Sequence, residues 1–414
     1  MRKIKILQIN ATYDFRSTGR IMADIHKQLL KDERFEPYVI YGRGQKSKDK
    51  NVYKVVSNFY AKVMNGLSRL TGVIFGHCLI GTNRTIRLIK KIKPDIVHLH
   101  CPNGYFMNIP RVVKFLNKNH IPTLITQHCE FFYTGNCGYA LDCEKWKNGG
   151  CNHCPTLKQA TGSILFDCTS LSFKRMKDAF AGFENDCYIV SCTPWLNERA
   201  SESIILNKFN FGTVYNGTEI RNFHYVKNNG IKEKYNISKD TKVITYVNPV
   251  FKDSTKGGYN LYELAKYFEN EDVVFLLVGN NDTSIELPKN VINVGAINNA
   301  QELAKYYSAG DVSLLLSYRE CFPMTVVEAV CCGTQVVGFK CGGPDKAYDV
   351  SLAEFVEHGN VKLLADTIKK HLKNDDLGKE KRAEIAASLY SKEVMANNYI
   401  KAYEKIIADK KLGY

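Results

Sequence analysis

The sequence predicts an α/β protein built from two doubly wound, Rossmann-like domains that face each other across a cleft. The chain of 414 residues is longer than one ordinary domain. Short apolar segments alternate with amphipathic ones along most of its length, which favours parallel sheets covered by helices on both faces. This alternation restarts near residue 212, and the chain becomes mostly helical from about Ser351.

The first domain is expected to span residues 1–212. Residues 4–9 predict its first strand, and the amphipathic helix that follows is expected to have Ser17 or Thr18 as its cap. Four further apolar segments predict strands: 37–41, 95–100, 122–126 and 188–192. Because parallel strands place their carboxyl ends at one edge of a sheet, we expect ligand-binding residues just after these segments.

The second domain is expected to span residues 213–390, with the join near Asn216-Gly217. Its predicted strands are 242–247, 272–278, 291–294, 311–316 and 335–339. The last segment, 391–414, predicts a helix that packs back on the first domain.

The composition is that of a soluble globular protein, with 44% hydrophobic and 24% charged residues. No run of about 18 apolar residues is present, and the first apolar segment is too short for a signal peptide. Of the 14 cysteines, those in apolar runs are expected to pack as small hydrophobic residues in a reducing compartment. We therefore expect a cytoplasmic protein.

The net charge of +15 is concentrated near the start of the chain. Residues 1–100 contain 20 Lys and Arg against 7 Asp and Glu, a balance of +13. Such an excess predicts an anionic partner, either nucleic acid, a phosphorylated substrate or a membrane surface, and the alternative is that it serves solubility alone.

The most informative motif is a pair of glutamates separated by seven residues. Glu320 follows a predicted buried strand, and Glu328 lies about one turn inside the next helix. Amides at such a helix start can hold a diphosphate, and a carboxylate one turn inside can accept hydrogen bonds from ribose hydroxyls. The alternative is two solvated glutamates near a favourable helix dipole. The residues expected around the diphosphate are Phe322, Pro323, Met324 and Thr325.

This motif resembles the E-x7-E motif of retaining glycosyltransferases of the GT-B fold, especially glycosyltransferase family 4. The segment 248–258, which contains Lys252 and Lys256, resembles the donor-phosphate loop of that family. The family commonly has an arginine upstream of this lysine; none is present here, and Lys252 is the nearest cation. His128 matches the family's histidine near the transferred sugar. Gly19 lies at the start of the first helix, and the resemblance implies that the amides there face the donor phosphate or the acceptor.

The resemblance implies a retaining glycosyltransferase that moves a sugar from a nucleotide-sugar donor to a hydroxyl of a glycan or a lipid-diphosphate-linked acceptor, in surface polysaccharide biosynthesis. Glu320, His128 and Lys256 are the implied catalytic residues, and Glu328 is implied to bind ribose. No catalytic metal is expected. The alternatives are another GT-B enzyme such as a nucleotide-sugar 2-epimerase, or a basic zinc-containing nucleic-acid binder. The basic region lacks an RNP-like aromatic pattern, so we expect no nucleic-acid partner.

Four cysteines lie in an insertion at 127–160 with little periodicity. Their spacing, C-x5-C-x7-C-x2-C, can bring four thiolates onto a tetrahedral zinc. Reduced or disulfide-forming thiols and an iron–sulfur cluster are the alternatives. A similar insertion occurs in a polysaccharide-making subset of the family. The predicted ligands are Cys137, Cys143, Cys151 and Cys154.

A basic segment with apolar residues at near-helical spacing runs from Phe59 to Phe75. Such a helix can lie in the headgroup layer of an anionic membrane, so we expect peripheral binding at the inner face of the cell membrane. The alternative is an ordinary helix packed on the sheet, which Gly66 and Gly72 favour.

Overall fold

The computed structural model describes residues 2–282 and 284–412, and the chain divides into two compact units. The first unit comprises Met1–Tyr215 and Met395–Tyr414, and the second comprises Asn216–Val394. Each is built on one parallel sheet, with seven strands in the first unit and six in the second. The predicted α/β class with two Rossmann-like sheets is confirmed.

The sheet of the first unit has the order β3-β2-β1-β4-β5-β6-β7. Its strands are β1 Ile4–Thr12, β2 Phe35–Arg43, β3 Val52–Lys54, β4 Ile96–Leu99, β5 Thr123–Gln127, β6 Cys187–Ser191 and β7 Phe211–Thr213. The helices are α1 Arg16–Leu29, α2 Asn58–Thr71, α3 Leu79–Ile92, α4 Ile109–Lys118, α5 Lys145–Asn148, α6 Thr169–Phe180 and α7 Pro194–Ser201. The strand order reverses at β1, which pairs with β2 on one side and β4 on the other. Ligands of doubly wound sheets bind beside such a reversal.

The sheet of the second unit has the order β10-β9-β8-β11-β12-β13 and reverses at β8. Its strands are β8 Lys242–Val247, β9 Val273–Val278, β10 Val291–Gly295, β11 Val312–Leu315, β12 Gln335–Phe339 and β13 Ala353–Val356. The remaining helices are α8 Ile231–Lys234, α9 Asn260–Lys266, α10 Ala300–Ala309, α11 Met324–Cys331, α12 Val361–Lys373, α13 Lys379–Tyr390 and α14 Lys392–Asp409. Among the helices within the described residues, none has both the length and the apolar content needed to cross a bilayer.

Helix α1 covers the first sheet through residues spaced four apart. Ile21, Ile25 and Leu29 join the buried cluster that contains the strand residues Ile4 and Ile6. The predicted cap of this helix is wrong. The residue preceding the helix is Phe15, whose side chain makes no capping hydrogen bond. Thr18 lies inside the helix, where its hydroxyl accepts a hydrogen bond from Asn10 at 3.4 Å.

Helix α14 returns to the first unit, as predicted. Tyr399 and Tyr403 are fully buried in the same cluster as α1. The Tyr403 hydroxyl shares a hydrogen bond with His98 Nδ1 at 2.6 Å, across 305 residues of sequence. An ion pair at 2.6 Å joins Lys410 to Asp186, the residue before β6. The helix therefore completes the core of the first unit.

Replacing Tyr403 by Phe should lower the free energy of unfolding by about 1–3 kcal/mol, because it leaves a buried ring nitrogen of His98 without its partner. Urea unfolding of the purified protein measures the loss. Tyr53→Phe, at a half-exposed tyrosine of β3, is the matched control and should leave stability unchanged. Equal stability of the two variants would show that the hydrogen bond contributes nothing.

Candidate functional site

Two glycines shape the loop after β8: Gly257 brings it against the residue after β11, and Gly258 closes it on itself. Gly257 has a φ of +70°, and a Cβ there would lie 1.9 Å from the carbonyl oxygen of Leu316. A Cβ at Gly258 would lie 2.2 Å from the carbonyl oxygen of Phe251. Only glycine permits this approach, because backbone atoms cannot move aside as a flexible side chain can. The loop therefore presents Lys256 beside the residues that follow β11.

Lys256 and Glu320 are brought together by this contact. The Lys256 Nζ lies 2.6 Å from Glu320 Oε1, and Glu320 is buried. The amide of Glu320 donates to the Cys341 carbonyl at 2.9 Å, and its own carbonyl accepts from the Gly343 amide at 2.9 Å. The main chain of Glu320 is thus fixed on both sides, and the Lys256 ammonium group lies against its carboxylate. Such a pair offers a cation for phosphate oxygens and an acceptor for sugar hydroxyls.

Lys252 lies apart from this pair. Its Nζ is 2.6 Å from the carboxylate of Asp282, which follows β9, and its side chain is largely exposed. The hydrogen bond from Lys252 lowers the pKa of Asp282 to about 2. The structure therefore places the two predicted phosphate-loop lysines against different carboxylates.

Arg319 is a cation that the sequence analysis missed. It precedes Glu320, and its positive charge acts on the Cys341 thiol together with that of Lys256. Burial raises the pKa of this thiol well above its usual range, and both cations oppose the shift. The adjacency of Arg319 to Glu320 in the sequence was the available signal.

Glu328 is positioned by a tyrosine from the neighbouring helix. The Tyr307 hydroxyl of α10 donates to Glu328 Oε2 at 3.2 Å. Tyr307 is fully buried, and burial first, then the charge of Glu328, raises the pKa of its hydroxyl well above the usual value. The hydroxyl therefore stays protonated and holds the carboxylate in place.

The predicted diphosphate-binding segment coincides with the start of α11. The helix begins at Met324 and continues through Thr325, and Pro323 precedes it in an extended conformation without a side-chain cap. The first amides of the helix thus make no hydrogen bond to the side chain of Pro323, as in helix ends that bind anions. The Phe322 ring stacks on Tyr348, with centroids 5.6 Å apart.

In the first unit, His128 follows β5 and ends a stack of three imidazoles. Its ring lies nearly parallel to His100 with centroids 5.8 Å apart, and His100 lies 3.8 Å from His98. Within the described residues, both ring nitrogens of His128 are buried without a hydrogen-bond partner. Burial lowers the pKa of His128 to about 4, so the ring is neutral at pH 7.

Two other residues border the strand ends of the first unit. Gly19 lies in the first turn of α1, where a Cβ would lie 2.5 Å from Thr12 Oγ1, so the helix start approaches the end of β1 closely. Gln127, the last residue of β5, was missed by the sequence analysis. Both polar atoms of its side chain are buried and lack a partner within 2–282 and 284–412. Unpaired buried amides are costly, and a bound polar ligand would satisfy them.

The four predicted zinc ligands line one small cavity, together with Trp146. The Cys151 sulfur accepts a hydrogen bond from the Gly135 amide at 3.1 Å. A hydrogen bond from Cys137 lowers the pKa of the Cys154 thiol. In the part of the chain that the structure describes, no group of three or more His, Cys, Asp or Glu residues is arranged to hold a metal ion. The four thiols thus line one cavity, but their positions in this structure are not those of metal ligands.

A buried ion pair anchors the cysteine-rich insertion to the body of the first unit. Arg199 Nε of α7 lies 2.6 Å from Oε1 of Glu130, whose side chain is inaccessible to solvent. The other carboxylate oxygen of Glu130 accepts from the Ala140 amide at 2.6 Å, and the guanidinium lies 4.9 Å from the centroid of the Trp146 ring. This anchor was not predicted, because Glu130 and Arg199 are 69 residues apart.

Comparison with known families connects the second unit to a described group of enzymes. Residues 228–390 match the family of glycosyl transferases group 1. The match covers the loop with Lys256, both glutamates and α11.

Three curated relatives share part of the chain. The putative colanic acid biosynthesis glycosyl transferase WcaC of Escherichia coli is 30% identical over 168 residues, 37% of this chain and 40% of that protein. The N-acetyl-alpha-D-glucosaminyl L-malate synthase of Bacillus anthracis is 26% identical over 245 residues, 56% and 63% of the two chains. An N,N'-diacetylbacillosaminyl-diphospho-undecaprenol alpha-1,3-N-acetylgalactosaminyltransferase of Campylobacter jejuni is 28% identical over 162 residues, 37% and 42%. The chain thus spans less than two thirds of the length of each.

Solved structures share the fold over nearly the whole chain. Sucrose-phosphate synthase from Thermosynechococcus elongatus has a TM-score of 0.67 at 17% identity, covering 98% of this chain and 100% of that one. Anabaena Alr3699/HepE in complex with UDP has a TM-score of 0.64 at 11% identity, covering 97% and 100%. At these identities the likeness establishes the fold.

Acidification should destabilise the first unit through its buried histidines. Burial lowers the pKa of His128 to about 4 and those of His98 and His100 well below the usual value. The unfolded chain therefore binds more protons below about pH 6.5, and stability is lost as pH falls from there. We expect about 1.4 kcal/mol per pH unit for each of these histidines that is protonated only on unfolding.

Urea unfolding at a series of pH values between neutrality and pH 5 measures this slope. His100→Gln should make the slope shallower. His224→Gln, at an exposed histidine of the second unit, is the matched control and should not change it. A wild-type stability that is flat over this range would contradict the assignment of neutral, buried rings.

Proposed function

We propose that the chain, whose residues 228–390 match the glycosyl transferases group 1, is a retaining glycosyltransferase. It moves a sugar from a nucleotide-sugar donor to a hydroxyl of a glycan or lipid-linked acceptor. The observation that carries the proposal is the ion pair between Lys256 and Glu320, which lies in the matched segment. In that segment the pair is accompanied by the helix start at Met324 and by Glu328.

The proposed reaction exchanges one C–O bond for another at the anomeric carbon. The bond from this carbon to the diphosphate oxygen breaks, the acceptor hydroxyl oxygen bonds on the same face, and the hydroxyl proton is released. Lys256 and the first amides of α11 would stabilise the negative charge that develops on the diphosphate. Electrostatic stabilisation of this kind often accounts for most of an enzyme's rate enhancement. Glu320 would orient the donor sugar, and no carboxylate is assigned as a nucleophile.

Glu328, fixed by the hydroxyl of Tyr307, would accept hydrogen bonds from the ribose of the donor. His128 would contact the sugar as a neutral imidazole, since its ring nitrogens are buried and unpaired within the described residues. Lys252 would contribute to phosphate binding only by exchanging its ion pair with Asp282 for one with the donor.

The names of the relatives support the proposed donor and acceptor classes. Anabaena HepE has been crystallised with UDP and with UDP-glucose, so a uridine diphosphate sugar is the first donor to test. The name of the Campylobacter relative specifies an undecaprenyl-diphosphate-linked sugar, and that of the Escherichia coli relative specifies colanic acid. We therefore propose a lipid-diphosphate-linked acceptor and a role in surface polysaccharide synthesis, at an anionic membrane surface.

Product analysis by mass spectrometry tests the proposal directly. The purified protein is incubated with UDP-, GDP- and ADP-sugars, with and without lipid-diphosphate-linked acceptors. Sugar transfer that requires an acceptor supports it, whereas an isomerised donor formed without acceptor would identify a 2-epimerase. A thermal-shift screen selects the nucleotide, because a ligand at about 100 times its dissociation constant adds about 2.7 kcal/mol.

Substitutions of the two glutamates should affect different kinetic parameters. Glu320→Gln should lower kcat about a hundredfold or more with little change in donor affinity, because its interaction matters most in the transition state. Glu328→Ala should weaken donor binding, and Tyr307→Phe should do so less. Donor titration and steady-state kinetics measure both effects.

Glu263→Gln, at an exposed glutamate of α9, is the matched control and should behave as wild type. Wild-type turnover in both the Glu320 and the Glu328 variants would refute the site assignment.

We also propose a structural zinc in the cysteine-rich insertion. The proposal is supported by the convergence of the four cysteines on one cavity and by their spacing. Arg199, paired with Glu130, already packs against Trp146 of this insertion, so the metal would tighten a segment that is attached without it. Four thiolates leave no open coordination position, which makes such a metal structural rather than catalytic.

Metal analysis of protein purified without a His tag should find about one zinc per chain, the stoichiometry of one four-ligand site. Cys151→Ser combined with Cys154→Ser should abolish binding, whereas Cys168→Ser, just outside the quartet, should retain it. Metal-free protein after reducing, chelator-free purification would refute the zinc, and mass spectrometry of alkylated thiols would then count any disulfides.

A further inference from the structure

Helix α2 presents its large apolar side chains to solvent. Its only fully buried residues are Ala61 and Ser68, which lie on one side of the helix. The opposite side carries a stripe of exposed apolar residues within an arc of about 80°. These residues are Phe59, Val63, Leu67 and Leu70, with 76%, 40%, 39% and 49% of their surface accessible. The helix thus packs through Ala61, Ser68 and the half-buried Tyr60 and Met64, and it leaves the stripe of apolar residues uncovered, unlike an ordinary surface helix.

A second segment continues this apolar surface. The loop of residues 162–168 exposes Ile164, Leu165 and Phe166, each more than half accessible. The Ile164 amide donates to the Arg69 carbonyl at 2.8 Å, and Arg69 Nε donates to the Gly162 carbonyl at 3.0 Å. These bonds hold the loop against the end of α2, so its exposed apolar side chains lie next to that end of the helix.

The chain segment that contains α2 is strongly basic, whereas the loop 162–168 contains one acidic residue, Asp167. Residues 50–94 contain nine Lys and Arg and no Asp or Glu. Of these, Lys62 and Arg69 are exposed on α2 itself, beside the stripe. A second copy of the chain would bring the same cations face to face, which opposes self-association through this surface. Exposed apolar residues flanked by cations instead complement a bilayer whose headgroups are anionic.

The surface adjoins the carboxyl ends of the first sheet. At the start of α2, Asn58 Oδ1 accepts from the amide of Gly44, the residue after β2. Phe75, shortly after α2, packs 4.8 Å from Tyr105 and 5.4 Å from Phe131 (ring centroids), and these residues follow β4 and β5. His128 follows the same strand as Phe131. A bilayer that contacts this surface would therefore lie at the sheet edge that holds the proposed sugar contact.

We propose that the exposed stripe of α2 and the loop 162–168 form one docking surface for the headgroup layer of an anionic bilayer. The apolar side chains enter the boundary between headgroups and acyl chains, and the lysines and arginines around them bind the headgroups. The docking stands on the structure of the first unit. Only its purpose, to bring that sheet edge to a lipid-linked acceptor, rests on the proposed function.

Co-sedimentation of the full chain with extruded vesicles tests the docking. Vesicles of phosphatidylcholine alone are compared with vesicles that also contain phosphatidylglycerol, at low salt and at about 1 M salt, where the screening length is about 3 Å. We expect binding to the anionic vesicles at low salt and little binding in the other conditions. Phe59→Ser combined with Phe166→Ser, and separately Lys62→Glu, should each weaken binding, the apolar pair by about tenfold or more.

Val350→Ser combined with Leu389→Ser removes two exposed apolar residues of the second unit and is the matched control, expected to bind as wild type. All variants change exposed side chains, and thermal unfolding with and without UDP verifies that fold and nucleotide binding are retained. Absence of binding to anionic vesicles at low salt, or equal binding by the Phe59/Phe166 variant, overturns the docking surface. Neither outcome bears on transfer to a soluble acceptor, so the proposed function is tested separately.

Discussion

The parallel direction of all strands is the constraint on which the rest of this structure depends. In each unit it collects every strand's carboxyl end at one edge, and segments far apart in sequence meet there. Lys256 and Glu320 follow different strands of the second sheet, and His128, Tyr105 and Phe131 follow two strands of the first. The close contact between Gly257 and Leu316 then brings the loops after β8 and β11 near enough for Lys256 and Glu320 to form an ion pair. The strand topology therefore decides which residues meet at these edges, and the side chains then decide the chemistry.

Much of this edge could be predicted from the sequence. The apolar segments identified most strands, and the spacing of Glu320 and Glu328 located both carboxylates relative to a strand and a helix. Local pattern failed where a partner lies far away in sequence. The capping prediction for α1 failed because the Thr18 hydroxyl bonds Asn10 instead, and nothing near Lys252 indicates that Asp282 is its counterion. The Glu130–Arg199 anchor and the loop beside α2 are likewise long-range contacts that periodicity does not encode.

The unit that contains the proposed sugar contact also contains buried polar atoms without hydrogen-bond partners within the described residues. Gln127 and His128 have buried polar atoms without partners in the part of the chain that the structure describes, next to imidazoles kept neutral by burial. A core optimised for stability alone would replace such groups by apolar ones, because unpaired buried polar atoms are costly. Their concentration at strand ends is what a polar ligand site requires.

The bond between His98 and Tyr403 joins a strand made early in the chain to a helix made after the whole second unit. During synthesis, the first sheet emerges long before α14 exists, so its buried imidazoles and the apolar face that α14 covers must wait without their partner. The second unit can meanwhile fold as an independent body, since its own segments are contiguous. Completion of the first unit therefore has to follow synthesis of the second, and a translation product truncated before α14 would contain a folded second unit and an uncovered first one.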